Sequence, residues 1–236
     1  MRWLLLTLLA LAPYSQAQFV QCQNHSSSSS IASEDVTITS TAGHALKVLV
    51  RVGATGSAGI SITDSAGNTY SSTPKTPKSG PGSTAPTIGM YYVANAAAVT
   101  TVTAHYSPNA AASSVIVCEF SGMATSSLLD NTDAEANATS VTTLASGALT
   151  TLNANDVLFD GIGMNASVTA FACPAGWTLP TNGSTTSAGV CYKIVSATQS
   201  GVTVAPTWTT ARDAAELLAG FKILIPTTAS PFVIAP

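Results

Sequence analysis

The chain has 236 residues, a net charge of −3 and only 8% charged residues. Average soluble proteins carry roughly 25% charged residues, so this surface relies on Ser and Thr hydroxyls instead. A weakly acidic chain has no basic patch to neutralise phosphates, which argues against a nucleic-acid partner. The length suits one domain with a sizeable core.

Residues 1–17 have the pattern of an export signal. Arg2 supplies the positive start, residues 3–12 are apolar, and Ser15 to Ala17 form a small-x-small cleavage site. An apolar run of about ten residues is shorter than the roughly 20 that a membrane-spanning helix needs. We therefore predict a signal peptide at residues 1–17, a single β-sandwich domain at residues 18–225 and a C-terminal tail at residues 226–236. The mature protein is expected to be secreted, without a transmembrane segment.

Four Cys residues in an exported chain predict two disulfides, because the compartment is oxidising and the number is even. Cys173 and Cys191 fall in neighbouring predicted strands, so we predict that they pair. That choice leaves Cys22 to pair with Cys118. The Cys spacing matches no common zinc or redox motif, which argues against a metal site at these residues.

Period-two alternation dominates the sequence. Apolar residues at positions 46, 48, 50 and 52 alternate with Lys47 and Arg51, which predicts a strand with Lys47 and Arg51 facing water. A turn at residues 65–68 predicts a β-hairpin, with Asp64 capping its own turn. A serine run at residues 26–30 is predicted to be exposed. Similar strands are predicted at residues 60–64, 69–72, 89–93, 99–106, 114–121, 141–145, 157–164, 189–195, 202–208 and 216–225.

These strands repeat, which predicts an all-β, antiparallel β-sandwich built from two similar four-strand halves. An offset of 109 relates Val48 to Val157, and offsets of 100 and 101 relate residues 89–92 to 189–192 and residues 116–120 to 217–221. Residues 211–219 consist of good helix formers. The repeat nevertheless assigns their latter part to a strand, with a helical turn near Arg212.

Three acidic residues between the halves, Asp130, Asp133 and Glu135, are a candidate Ca²⁺ site, since calcium prefers oxygen ligands. Their spacing matches no EF-hand, and a solvated linker would have the same composition. No other cofactor is predicted.

Aromatic residues on the predicted strands are candidates for sugar binding, because a planar ring offers apolar contact and a polar tip. The candidates are Tyr70, Tyr91, Tyr92 and Trp177. Tyr91 and Tyr92 are adjacent and must point to opposite faces of a strand, so one of them can face solvent. The alternative is that rings such as Trp177 fill the core.

Catalytic patterns are weak. His25, His44 and His105 have no nucleophile-elbow motif nearby, so each is interpreted as a surface histidine rather than a member of a catalytic triad. Glu119 and Asp160 are candidate glycosidase carboxylates, but they lie in separate strands. We therefore expect a protein that is not an enzyme.

Residues 62–70, 90–96, 119–122 and 175–178, followed by Tyr192 and Lys193, resemble strand and turn signatures of secreted bacterial β-sandwich modules. Those modules are jelly-roll or immunoglobulin-like units found singly and within adhesin-type and cell-surface proteins. The resemblance runs from residue 42 to residue 225. It implies a sandwich fold and an exported location, and it carries over no catalytic residue.

The combined interpretation is a secreted, non-catalytic binding or adhesion module for glycans or other cell-surface components. One alternative is a structural subunit that self-assembles outside the cell, and another is a glycoside hydrolase-like enzyme. An aromatic binding surface favours the first function, long unpaired strand edges favour the second, and facing carboxylates in a cleft favour the third.

Overall fold

The computed structural model describes residues 16–53, 59–76, 78–80 and 84–225. The predicted tail, and the predicted signal peptide apart from Gln16 and Ala17, lie outside these residues. The side chains of Lys78 and of residues 132–134 also lie outside the description. Across the described part of the chain, no helix has the length and apolar character needed to cross a membrane.

The described residues form strands joined by turns and loops. The strands are β1 (Gln18–Ser27), β2 (Ile31–Thr37), β3 (Ala45–Val52), β4 (Gly59–Asp64), β5 (Ser71–Ser72), β6 (Lys78–Ser79), β7 (Thr87–Val93), β8 (Thr101–Ala110), β9 (Ser113–Ser121), β10 (Leu129–Thr143), β11 (Asp156–Met164), β12 (Ala188–Val195) and β13 (Thr207–Lys222).

These strands make three antiparallel sheets. The first sheet has the order β1-β9-β3-β7, and the short strands β5 and β6 both pair with the outer side of β7. The second sheet has the order β10-β13-β11-β12. A smaller cover sheet has the order β2-β8-β4. The predicted all-β antiparallel sandwich class is therefore confirmed.

The first sheet is the central layer of the molecule. Val48 and Val50 pack with Val102 of the cover sheet, whereas Leu49 packs with Phe159 of the second sheet. Because both faces are covered, every residue of β3 is buried. Such a strand has no water-facing side, unlike the half-buried strand that its alternating sequence predicts.

The prediction that Lys47 and Arg51 face water is therefore wrong. Both side chains lie between the first and second sheets, with 0% and 3% of their surface exposed. Alternation of apolar and charged residues predicts a two-layer sandwich, in which the charged side chains face solvent. In this protein the second sheet covers the face of β3 that carries Lys47 and Arg51.

Loops cover the outer face of the second sheet. They make isolated bridges, Leu149 with Val202 and Ala172 with Thr207, instead of a continuous sheet. Apolar side chains from these loops, including Val168 and Val204, bury that face. Val202, which was predicted to lie in a strand, therefore has only the bridge to Leu149.

The two halves have the same topology, as the repeat predicts. The sheet of the first half has the order β1-β9-β3-β7, and that of the second half has the order β10-β13-β11-β12. Strands at the same place in the two orders are equivalent, so β3 corresponds to β11 and β7 to β12. Contacts across the interface are reciprocal. Phe120 meets Tyr192 edge-on at 5.4 Å, and the equivalent Phe221 meets the equivalent Tyr92 edge-on at 5.3 Å. Reciprocal contacts are the mark of an isologous interface, so the halves are related by an approximate twofold axis.

The predicted offset for the first repeat strand is wrong by three residues. Leu49 pairs with Met90 and Ile116, whereas Gly161 pairs with Val190 and Leu217. The offsets of the neighbouring strands are kept (190 − 90 = 100 and 217 − 116 = 101), so Leu49 corresponds to Gly161 (161 − 49 = 112).

Leu49 and Gly161 also touch across the interface. A Cβ on Gly161 would lie 2.5 Å from Leu49 Cδ1, so a larger side chain at position 161 would displace Leu49. Two leucines cannot occupy this position at once. Because Gly161 has no side chain, it leaves the space that the Leu49 side chain occupies between the two sheets.

Each half contains one disulfide, and both pairings agree with the prediction. Cys22 of β1 is bonded to Cys118, which lies directly opposite on β9. Cys173 ties the loops over the second sheet to Cys191 of β12. The two bridges hold an edge strand and a covering loop against their sheets.

Two local predictions about β4 have different outcomes. The strands around residues 65–68 do not form a hairpin, since β4 pairs with β8 and β5 pairs with β7. Asp64 does cap the turn, because its Oδ1 accepts hydrogen bonds from the backbone N–H groups of Ala66 and Asn68 at 2.9 and 3.1 Å.

Two segments of the second sheet are strands throughout. Residues 211–219 lie within β13, and no helical turn interrupts the strand at Arg212. Strand β10 contains the acidic segment, for which a solvated linker was the alternative to a Ca²⁺ site. In both segments the sheet partners determine the backbone conformation against the local sequence preference.

Candidate functional site

The four candidate aromatic residues do not form one platform. Tyr91 is 8% exposed and packs between the first sheet and the cover sheet, so its ring cannot stack on a ligand. Tyr70 is half-buried, and its hydroxyl donates to Asp64 Oδ2 at 3.0 Å. Trp177 is half-buried against a cluster that includes Leu158. These three rings serve the packing of the sandwich.

Tyr92 has a different environment. It follows Tyr91 on β7 and points to the opposite face, towards the second sheet, where its ring meets Phe221 edge-on. It is half-buried and pairs with Ser71 of β5. Burial raises the pKa of its hydroxyl. The hydroxyl therefore stays protonated at neutral pH and can donate or accept a hydrogen bond.

A pocket of about 340 Å³ opens beside Tyr92. Its lining combines apolar side chains with hydroxyl groups from three separate parts of the chain. The lining residues are Thr69, Ser71, Tyr92, Val93, Ala94, Ser127, Leu128 and Leu129. None of these side chains is a carboxylate, an imidazole or an amine, and the pocket offers apolar surface and neutral hydroxyl groups for binding.

Among these lining residues, only Tyr92 is a candidate from the sequence alone. Ser71 precedes a proline-rich segment, and Ser127 lies in the connection between the two halves. Ser and Thr are abundant throughout the chain, so neither residue type stands out. The pocket arises from the packing of the halves, which no local pattern predicts.

The acidic candidates for Ca²⁺ lie along β10. Asp130 is buried, and its Oδ2 accepts hydrogen bonds from the backbone N–H groups of Leu152 and Asn153 at 2.6 and 3.2 Å. It therefore caps a neighbouring loop. Glu135 is half-buried, and the side chain of Asp133 lies outside the description. Among the described residues, no three His, Cys, Asp or Glu side chains group together as metal ligands.

Lys47 is the most unusual ionisable residue. Its Nζ lies 3.9, 4.9 and 6.0 Å from the ring centroids of Phe120, Phe221 and Phe159. No hydrogen-bond partner for Nζ occurs among the described residues. Burial lowers the pKa of Lys47 well below its ordinary value. The amine is thus enclosed in the interface between the halves, where no ligand can reach it.

A pair of carboxyl groups, Asp160 and Glu216, lies on the other face of the second sheet. Asp160 lies between Leu158 and Ile162 on the face that the loops cover, and Glu216 lies on neighbouring β13. Both are fully buried, and the described residues supply no hydrogen-bond donor to either. Burial raises the pKa of Asp160 to about 8, and burial together with the Asp160 charge raises the pKa of Glu216. Burial and the repulsion between two neighbouring carboxylates both favour the protonated forms, so the pair is not a pair of buried charges at neutral pH.

Glu119, His44 and His25, which were considered for catalysis, form hydrogen bonds or ion pairs within the fold. Glu119 is buried in the first sheet, where it accepts hydrogen bonds from the Thr41 N–H at 2.8 Å and Gln21 Nε2 at 2.7 Å. It also lies 2.6 Å from His44 Nδ1. Glu119 and Asp160 lie in different sheets rather than across a common cleft. His25 pairs with Glu34 at 2.8 Å, and its side chain remains mostly exposed.

Comparison with known proteins adds little to this geometry. No family model and no curated protein sequence matches the chain. Among solved structures, the chain is similar to one in the atomic structure of Sulfolobus turreted icosahedral virus. The identity is 8%, the TM-score is 0.27, and the match covers 88% of this chain and 90% of that one. A similarity at this level carries no argument about function.

Proposed function

We propose that the chain is an exported, non-catalytic binding module that binds the sugar ring of a surface glycan in the Tyr92 pocket. The observation that supports this is the composition of the lining, a single partly accessible aromatic ring among neutral hydroxyls and apolar side chains. Sugars present apolar C–H faces and hydroxyl edges, which match those two kinds of group. Two disulfides support an oxidising, extracellular location.

Tyr92 and Tyr192 provide a matched test, because they are equivalent residues of the two halves. Each ring meets a phenylalanine of the opposite half edge-on, but only Tyr92 lines the pocket. We expect Tyr92→Ala to abolish binding of the oligosaccharides that the parent recognises on a glycan array. Tyr92→Phe keeps the ring and should retain binding within about threefold, since one neutral hydrogen bond contributes roughly 1 kcal/mol.

Tyr192→Ala is the control for lost packing. It should lower the melting temperature at least as much as Tyr92→Ala, since the Tyr192 ring also stacks on Phe19 at 5.3 Å, and leave glycan binding intact. The proposal fails if the parent binds no glycan on the array, or if Tyr92→Ala binds as the parent does. Equal loss of binding in both alanine variants would also contradict it, since the loss would then follow from reduced stability.

The alternative of a self-assembling subunit has less support. Strand β10 is long and lies at the edge of the second sheet, which is the feature that assembly would use. Its pairing with β13 is irregular at four places, however. Irregular edges are a common protection against edge-to-edge pairing. Size-exclusion chromatography of the mature chain should give a monomer, whereas concentration-dependent polymers would favour assembly.

A further inference from the structure

A second pocket lies at the other end of the first sheet, between the two halves. Arg51 lies opposite Ile88 near the start of β7, whereas the Tyr92 pocket is at the end of β7. The second pocket has a volume of about 380 Å³. One wall comes from β1 and β9, and the other comes from the segments around Asn165 and Ser187.

The Arg51 guanidinium is the charged group of this pocket. Its Nε donates to the backbone carbonyl of Met164 at 2.8 Å, and its Nη2 donates to that of Asn165 at 2.7 Å. Both acceptors are neutral. Burial lowers the pKa of Arg51 to about 10, so the group stays protonated at neutral pH.

Among the described side chains, no carboxylate forms an ion pair with Arg51. Residues 54–58, which follow Arg51 closely and lie outside the description, contain no Asp or Glu. A nearly buried cation with two neutral acceptors and no counter-charge is costly, unless an anion supplies the missing charge. Nη1 makes no hydrogen bond to the described residues, which leaves donors for such an anion.

Hydroxyl groups surround the guanidinium. Ser26, Ser113, Thr186 and Ser187 line the pocket. Ser114 lies 3.0 Å from both Ser26 and Ser187, hydroxyl to hydroxyl, which holds these two side chains in place. The serine run that begins at Ser26 therefore contributes to a defined surface. Hydroxyls and a guanidinium together are the donors that bind sulfate, phosphate and carboxylate groups.

Two acidic groups near the pocket already have hydrogen-bond donors, and neither lines it. Glu34 accepts a hydrogen bond from Ser113 and pairs with His25. Asp213 accepts hydrogen bonds from Asn165 Nδ2 at 3.3 Å and from the Ser140 N–H at 3.0 Å. No lining side chain is a carboxylate. The charge of the pocket is therefore positive, although the chain as a whole is acidic.

We propose that this pocket, the Arg51 pocket, binds an oxyanion such as sulfate between the two halves of the protein. The anion would bind to Nη1 and to lining hydroxyls such as those of Ser28 and Thr186, because Ser113 already donates its proton to Glu34. It can be a free ion or a substituent of a larger molecule such as a sulfated sugar. The site is separate from the Tyr92 pocket and does not depend on glycan binding there.

The test uses the mature chain and a substitution that leaves Arg51 in place. Ala166 is exposed and lines the pocket, so Ala166→Glu adds a carboxylate beside the guanidinium. Ala166→Gln is the neutral control of almost the same size. Isothermal titration with sodium sulfate, at constant ionic strength set with sodium chloride, should give an at least tenfold weaker Kd for Ala166→Glu. We expect the glutamine variant to stay within about threefold of the parent, as surface changes usually do.

A comparison of two ligands identifies the source of the anion, and a variant of Arg51 tests the guanidinium. N-acetylglucosamine 6-sulfate should bind at least tenfold more tightly than inorganic sulfate if the natural ligand is a sulfated sugar, and equally tightly if it is the free ion. Arg51→Lys keeps the charge but loses the planar donor pair, so it should weaken sulfate binding. The proposal is overturned if sulfate binds no better than chloride, or if Ala166→Glu binds sulfate as the parent does. Tyr92→Ala should bind sulfate normally, which separates this site from the proposed glycan site.

Discussion

The equivalent strands β3 and β11 place their buried ionisable residues on opposite faces. In the first half, Lys47 points into the interface, where the equivalent residue of the second half is Phe159. In the second half, Asp160 lies on the outer face, where the equivalent residue of the first half is Val48. A shared topology therefore does not require shared chemistry at each position. The shared features are strand order and the apolar contacts on the twofold axis.

The two buried sites respond to pH in opposite directions. A lysine with a lowered pKa binds fewer protons in the folded state than in the unfolded state, so its contribution to stability falls as the pH decreases. A carboxyl with a raised pKa binds more protons in the folded state, so its contribution falls as the pH increases. The stability changes caused by variants at Lys47 and at Asp160 should therefore depend on pH in opposite directions.

The largest expected effect is at Lys47. Desolvation of an ammonium group costs several kcal/mol, whereas a cation–π contact contributes about 0.5 to 2 kcal/mol. Desolvation therefore outweighs the three phenylalanine contacts. We expect Lys47→Met to raise the free energy of unfolding at pH 7 by a few kcal/mol, measured by denaturant titration. The gain should shrink as the pH rises towards about 10.4, where lysine in the unfolded chain is also neutral.

Lys193→Met is the control for this prediction. Lys193 lies on β12 and is partly exposed, so losing its charge should change stability by less than about 0.5 kcal/mol. A loss of stability in Lys47→Met would show that the buried amine has a partner that stabilises its charge. That result would contradict the described environment of Lys47.

A smaller effect is expected at the carboxyl pair. Asp160→Asn removes a group whose pKa is raised to about 8 in the folded state and is about 3.9 in the unfolded chain. The substitution should leave stability almost unchanged at pH 4 and raise it progressively towards pH 9, because the folded parent keeps a buried carboxyl protonated that the unfolded chain has already ionised. Thermal melts across this pH range measure the difference.

The control is Asp35→Asn, which changes an exposed carboxyl of β2. Its stability relative to the parent should be the same at pH 4 and pH 9. The account of the carboxyl pair is wrong if Asp160→Asn destabilises the protein most at pH 9, because that would mean that the folded state favours the charged form.

The sequence predicts most strands of the two facing sheets and both disulfide pairings, because these depend on local alternation and on chain order. It misses β2 and most of β10, whose sequences alternate less clearly. It misplaces the offset at Leu49, since regular alternation of apolar residues fits several registers equally. Lys47 and Arg51 are misplaced because alternation does not tell how many layers surround a strand. The Asp160–Glu216 pair and both pockets depend on contacts between distant segments. Local patterns contain no information about those contacts.

The central claim is that the first sheet lies between two other layers and buries Lys47 completely. Amine-specific labelling of the native mature chain, followed by peptide mass spectrometry, tests it directly. Lys193 and Lys222 are partly exposed and serve as internal controls. We predict that both are labelled rapidly in the native protein, whereas Lys47 is labelled only after denaturation. Labelling of native Lys47 at the rate of Lys193 would contradict the layered arrangement of the two halves.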